Sequence, residues 1–333
     1  MKRIATGYLM ASLALFLVAS SCRQPPKSLE EQLAEYFSKK EVTILVTDSG
    51  LGGLSIAAPL YEGLKQHKIF NKARIVFFSA LFKKGSGYNS LKSEEEKARI
   101  FDQVLKAMQH RYHPDLLLIG CNTLSVVYHN TAFSRRPSFP VLGIVETGVE
   151  AIQKKLAQFP QATIIIFATR TTISSKAHQK LLVEQGAPAN KIIGQACHKL
   201  AGAINRGYDS EETMTLLRKY IKEALDKLPS PPETILASLN CTDYGYALDQ
   251  FKQVFNEYGY SNVIFVDPNP FLAEKILKPS LFNRFPRTEA SIEVVSKTPI
   301  TEKEITSIGS LLEKISPATA SALRNYTFNP KLF

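Results

Sequence analysis

The chain is predicted to be an α/β protein of two similar lobes, each a mainly parallel sheet flanked by helices, with the active cleft between them. Three observations predict this. Short β-rich apolar runs alternate with longer amphipathic segments over most of the 333 residues, the pattern of strand–helix–strand units. Each half opens with a strand running into a loop of small residues, Thr47-Asp48-Ser49-Gly50 in the first and Ala168-Thr169-Arg170-Thr171-Thr172 in the second. Each half also offers a later apolar run that ends at a cysteine, Leu116-Leu117-Leu118-Ile119-Gly120-Cys121 and Ile235-Leu236-Ala237-Ser238-Leu239-Asn240-Cys241. Ligands collect at the carboxyl ends of strands in open α/β sheets, so facing lobes bring all four loops to one cleft.

The N-terminus stands apart from this pattern. Lys2-Arg3 precede an uncharged, mostly apolar stretch from Ile4 to Ser21, and the small residues Ala19-Ser20-Ser21 precede Cys22. Residues 1–22 therefore read as a signal peptide of bacterial lipoprotein type, with Cys22 as the lipidated first residue of the mature chain. The run is shorter than the roughly 20 residues that span a bilayer comfortably. The expectation is an exported protein held to a membrane of a bacterial envelope by its N-terminal lipid. Residues 23–40 come next as a polar, helical tether.

Strands are then expected at Val42–Thr47, Arg74–Phe78, Asp115–Ile119 and Val141–Val145, and further on at Thr163–Phe167, Lys191–Ile193, Thr234–Leu239 and Val263–Val266. Each is a short apolar run rich in β-formers. Between them the amphipathic stretches Ser55–Gln66, Ser93–Arg111, Glu146–Gln158, Ser174–Gln185 and Ser210–Lys227 read as helices, with breakers at Pro137 to Pro140 and Pro229-Ser230-Pro231-Pro232. Residues 41–143 with 268–333 are assigned to the first lobe and 144–267 to the second. In the tail, Ser291–Ser296 reads as a strand and Glu302–Lys314 as a helix; the tail is expected to pack back on the first lobe and to say nothing of substrate.

Composition narrows the function classes. An apolar content of 44% supports a substantial core in two domains. The net charge of +11 is spread without a basic block, which favours anionic ligands or an anionic membrane surface, and no motif indicates nucleic acid. With Cys22 assigned to lipid, Cys121, Cys197 and Cys241 remain, an odd number without Cys-x-x-Cys spacing; neither a disulfide framework nor a metal site is expected. None of His67, His110, His113, His129, His178 and His198 forms a Ser-His-Asp or metal pattern. Each reads as surface or satisfied core.

Two constellations carry chemistry. Asp48-Ser49-Gly50-Leu51-Gly52-Gly53 lies after a strand and opens a helix, so its glycines permit close backbone approach, its N–H groups suit an anion and Asp48 can hold or deprotonate an ammonium group. Such a turn is also a common structural device. A buried cysteine, likewise, is by itself more often a small hydrophobe than a nucleophile. Cys121 and Cys241 differ from Cys197 in standing at strand-to-helix junctions ahead of Asn122, Thr123 and Thr242. There helix N–H groups are expected to favour the thiolate, and the polar neighbours can bind a carboxylate.

With these segments the chain resembles the aspartate/glutamate racemase superfamily, most closely the glutamate racemases. Val46-Thr47-Asp48-Ser49-Gly50-Leu51-Gly52-Gly53-Leu54 is similar to that family's Asp-Ser-Gly-x-Gly-Gly loop, Gly120-Cys121-Asn122-Thr123 to its first catalytic-cysteine motif and Pro140-Val141-Leu142-Gly143-Ile144-Val145-Glu146 to its lobe-linking segment. Ala168-Thr169-Arg170-Thr171-Thr172 with Ser175 is similar to its Ala-Thr-x-x-Thr loop, and Asn240-Cys241-Thr242-Asp243-Tyr244 to Gly-Cys-Thr-His-Tyr. Order and spacing hold over residues 42–278. The resemblance implies a racemase that needs no cofactor, in which Cys121 and Cys241 act as base and acid on opposite faces of an amino acid α-carbon, assisted by Asp48. Ser49, Gly52, Asn122, Thr123, Thr169, Thr172 and Thr242 are its implied substrate-binding residues. The implied partner is a small amino acid or related carboxylate, with a homodimer left open.

The chain also departs from the family. Asp243 stands where the motif has histidine, and a carboxylate there raises a neighbouring thiol's pKa. Asn205 aligns with the family's acid, and Ser79-Ala80 with Gly85-Ser86-Gly87-Tyr88-Asn89 replace an Asp-Thr and Pro-Tyr-Gly pair tied to substrate recognition. Three readings are open: a racemase or epimerase of altered specificity, another superfamily enzyme such as a decarboxylase or isomerase using one cysteine, or a non-catalytic binding lipoprotein.

Overall fold

The computed structural model describes residues 27–333; the segment read as a signal peptide, with Cys22, lies outside them. In chain order the first elements are α1 (Leu29–Ser38), β1 (Glu41–Asp48), α2 (Leu54–His67), β2 (Lys72–Ser79), α3 (Glu94–Tyr112), β3 (Leu116–Ile119), α4 (Asn122–Tyr128) and β4 (Val141–Gly143). Next come α5 (Ile144–Leu156), β5 (Thr163–Ala168), α6 (Arg170–Ser175), α7 (Ala177–Glu184), β6 (Ile192–Ala196), α8 (Leu200–Arg206), α9 (Glu211–Leu225), β7 (Ile235–Asn240), α10 (Leu248–Glu257) and β8 (Val263–Val266). The chain closes with α11 (Pro268–Glu274), β9 (Glu289–Ser296), α12 (Glu302–Glu313), α13 (Pro317–Arg324) and β10 (Thr327–Phe328).

The strands form two sheets, one ordered β10-β9-β2-β1-β3-β4 and the other β6-β5-β7-β8. Every pairing is parallel. The central strands are continuous apolar runs because both faces are covered. In β1, Ile44 and Val46 enter one core while Leu45 enters the other. In β5, Ile165 and Phe167 face α9 and α10 residues, whereas Ile164 and Ile166 face those of α5 and α7. This is the two-residue period of a strand buried on both sides.

Register sets the cleft. Asp48 pairs with Ser79, Thr47 with Ile119, and Ala168 with Asn240, so the loops after β1, β2 and β3 leave one sheet edge together, as do those after β5 and β7. Three local differences from the expected elements have identifiable causes. The strand at Val141 ends at Gly143, because Ile144 already donates its N–H to Ser125 Oγ at 3.2 Å and begins α5. The helix expected over Ser174–Gln185 is broken by Lys176, whose φ of 57° is left-handed. The expected tether is folded from Leu29 onward: a Ser28–Glu31 capping box starts α1, and Tyr36 and Phe37 are buried in the first core. The tail adds β9 beside β2 and places Ile308, Leu312, Ala320 and Leu323 in the same core, as expected for a segment packed on the first lobe.

Candidate active site

A cavity of about 420 Å³ lies where the two sets of loops meet. Asp48, Ser49, Cys121, Asn122 and Thr123 line it from the first sheet's loops, and Thr169, Cys241 and Thr242 from the second's. Both cysteines are therefore brought to one space. Cys197 is not in its wall; it is buried at the end of β6, with Sγ 3.7 Å from the Gln195 carbonyl.

Cys121 caps the start of α4 in extended conformation, and its carbonyl accepts the Ser125 N–H at 2.8 Å. Its Sγ lies 3.2 Å from Ser49 Oγ. Burial, then the charge of Asp48, pushes the thiol up to about 12, against the pull of the Ser49 hydroxyl and the Leu124 N–H. The thiolate expected from the helix terminus is thus not favoured in this cleft: loss of hydration outweighs a helix of only seven residues. Cys241 has still less help, since its next residues form a 3₁₀ turn over Thr242–Ala247. Its Sγ donates to Asp243 Oδ2 at 3.6 Å, and burial together with the Asp243 charge raises it well above the ordinary thiol value.

Asp48 is buried at the end of β1. Its Oδ2 accepts the Thr242 hydroxyl at 2.6 Å and its Oδ1 accepts the Gly50 N–H at 2.8 Å. Burial raises its pKa, countered by these hydrogen bonds. Thr123 and Thr169 hydroxyls meet at 2.8 Å across the cleft. Asn122 has neither amide atom partnered although it is only 2% exposed; an orphaned buried amide in a cavity wall is a group set to bind a ligand.

Two residues expected at the site lie outside the cavity wall. Gly52 does not line the cavity. A Cβ there would lie 2.3 Å from Thr242 Oγ1 and 2.7 Å from the Asp243 nitrogen, so this glycine lets the lobes touch. Thr172 is also outside the wall; its N–H and hydroxyl lie 3.4 and 3.1 Å from Thr169 Oγ1, making it the support of Thr169 at the start of α6.

Other parts of the wall were not assigned as site residues from the sequence, although the Gly85–Asn89 loop was noted as a departure in a segment tied to substrate recognition. Asn89, on the loop after β2, donates to Thr123 Oγ1 at 3.4 Å and accepts the Thr171 N–H at 3.1 Å, bridging the lobes. The tail contributes Ser296, Thr298, Ile300 and Glu304, with Lys84 Nζ held by the Pro299 carbonyl at 2.9 Å. The tail, from which no site residue was expected, reaches the cavity because β9 ends at the same sheet edge as β1 and β2 and the chain beyond Ser296 enters the cleft. A strand ending in Ser296 was the available signal. The departures Asp243 and Asn205 both reach the wall, and each has an unpartnered Oδ1. Burial and then Asp48's charge raise Asp243, while the Cys241 thiol and the Asn205 amide lower it. Among the described residues no group of three or more His, Cys, Asp or Glu converges as a metal site.

Comparisons with known proteins place the sequence and the fold. Residues 67–275 match the family model described as Asp/Glu/Hydantoin racemase. The chain is 34% identical to the glutamate racemase of Campylobacter jejuni over 209 residues, covering 62% of this chain and 76% of that one. It is 30% identical to the glutamate racemase of Photorhabdus laumondii over 215 residues, 64% and 68% of the respective chains. The crystal structure of glutamate racemase from C. jejuni superposes with a TM-score of 0.63 at 22% identity, covering 81% of this chain and 98% of that one. That from Francisella tularensis in complex with D-glutamate superposes with a TM-score of 0.62 at 19% identity, covering 83% and 95%. The match with the family model spans more than half of the sequence, including both cysteines, and the chain belongs to the Asp/Glu/Hydantoin racemase family.

Proposed function

We propose that the protein is an amino-acid racemase of the glutamate racemase kind, working without a cofactor through Cys121 and Cys241. One observation carries the reading: both thiols, from equivalent strand ends of two lobes, line a single cavity whose other polar atoms include unpartnered groups. An α-proton is a weak acid, so its removal needs a base on one face, a donor on the other and hydrogen-bond donors for the carboxylate that takes up charge. In this reading one cysteine thiolate takes the α-proton and the other thiol returns one from the opposite side. Ser49, Asn122, Thr123 and Thr242 supply the donors, and Asp48 receives the ammonium group. Glutamate, the substrate named for the relatives, is the first compound to test.

The test is α-deuterium incorporation from heavy water into a panel of L- and D-amino acids by purified protein lacking residues 1–22. Exchange with loss of optical activity supports a two-base racemase and names its substrate. Exchange without racemisation points to one-cysteine chemistry, and tight binding without exchange points to a binding protein.

We also infer that the mature chain is exported and lipidated at Cys22. Lys2-Arg3, the apolar stretch and the small residues before Cys22 support this. Loss of fatty-acid labelling and of membrane association in Cys22→Ala is the expected result; unchanged fractionation overturns it.

A further inference from the structure

The two thiols that meet in the cleft are equally shielded but differently partnered. Cys121 is 6% and Cys241 7% exposed. Cys121 has the Ser49 hydroxyl at 3.2 Å, a group that can donate to sulfur, and the Ser49 and Leu124 N–H groups also favour its charged form. Cys241 has Asp243 Oδ2 at 3.6 Å, a carboxyl oxygen that accepts the S–H whether or not the group is ionised. Where the resembled motif carries histidine, this chain has a carboxyl whose Oδ2 accepts from Cys241, and the neutral Asn205 takes the place of the acid. Among the described residues no cationic side chain acts on Asp243: the groups facing it are Asp48 from β1, Asn205 from α8 and Cys241, Tyr244 and Tyr246 from its own segment.

We propose that Asp243 is a positioning residue that divides the labour of the two thiols, holding Cys241 as the protonated acid and leaving Cys121 as the thiol that ionises more readily and serves as the base. This rests on the racemase reading. When the Cys241–Asp243 contact loses its first proton, the carboxyl gives it up, since a carboxylic acid is the stronger acid of the two; the result is a carboxylate accepting an S–H. In the forward step Cys121 first gives its S–H proton to water; the substrate C–H bond then breaks, its electron pair stays on the α-carbon and the proton bonds to the Cys121 thiolate sulfur. The Cys241 S–H bond then breaks, its proton bonds to the opposite face of the carbon, and the pair remains on Cys241 sulfur as thiolate. After product leaves, Cys241 regains a proton from water and Cys121 keeps the one taken from substrate, restoring both thiols.

The test labels the reduced, ligand-free mature protein with trace iodoacetamide and tracks each cysteine by peptide mass spectrometry. Because thiolate is the reacting form, Cys121 is expected to react about tenfold or more faster than Cys241. Asp243→Asn, which removes the charge and adds an N–H donor, is expected to speed Cys241 and bring the two rates together; Ser49→Ala is expected to slow Cys121. Equal rates in the wild type, or a faster Cys241, overturn the proposal, as does an unchanged ratio in Asp243→Asn. Should a variant label Cys197 quickly, it has opened, and the wild-type ratio then decides. The labelling requires no turnover, so the expected ratio without any α-deuterium exchange refutes the racemase reading while leaving the assignment of the thiols intact.

Discussion

Thr242 donates its hydroxyl to Asp48 at 2.6 Å across 194 residues of chain, tying the end of β1 to the residue next to Cys241. One buried hydrogen bond thus sets the distance between the lobes at the point where the chemistry is proposed. Asn269 braces the same threonine through its carbonyl at 2.9 Å.

Thr242→Val keeps the volume and removes the donor, leaving a buried carboxylate oxygen short of a partner. Urea denaturation is expected to show a loss of about 1–3 kcal/mol. Turnover is expected to fall about 10²-fold as Cys241 loses its placement. A stability within error of wild type would remove Asp48–Thr242 as the tie between lobes.

Gly52→Ala places a methyl group 2.3 Å from Thr242 Oγ1. Either the lobes separate or the Asp48 bond breaks, with an expected loss of about 1–3 kcal/mol and of most activity. Gly309→Ala is the control, because nothing lies within 4 Å of its added carbon and a glycine inside α12 is replaced by a better helix former; a gain of up to about 1 kcal/mol is expected.

Cys121→Ser and Cys241→Ser are each expected to lower racemisation by about 10² to 10⁴-fold with little change in Tm, since both are small side chains in a cavity wall. Racemisation that survives either change would point to one-base chemistry.

Two buried groups titrate with opposite signs. Burial raises Asp267 to about 6, against the Asn269 N–H that it accepts at 3.0 Å. Its protonated form is thus favoured by folding: its contribution is full below about pH 4 and is lost as pH rises through about 6. Burial lowers His178 to about 4, with Glu146 opposing; its contribution is full above about pH 6.5 and is lost as pH falls through about 4. Asp267→Asn is expected to remove the first slope from a plot of stability against pH, and His178→Gln the second. An unaltered slope in either variant refutes that assignment.

The sheets were legible because strands covered on both faces leave uninterrupted runs such as Ile44-Leu45-Val46 and Ile164-Ile165-Ile166-Phe167. Boundaries were less so where a tertiary partner decides them: Ser125 ends β4 by taking the Ile144 N–H, and Ser125 is 19 residues away in sequence. In the site, Asp48, Ser49, Cys121, Asn122, Thr123, Thr169, Cys241 and Thr242 were found from motifs and do line the cavity. Gly52 and Thr172 belong to the same motifs, yet one serves lobe contact and the other supports Thr169.

By itself the sequence determined the α/β class, the pairing of two strand-end cysteines and the loops that carry them, because these depend on local pattern and order along the chain. Only the tertiary structure decided the burial that raises both thiols, the interlobe role of Gly52 and the entry of Asn89 and the tail into the cleft. Hydration loss, close approach and strand register depend on which distant segments become neighbours, and parallel pairing brings those segments together across long stretches of chain.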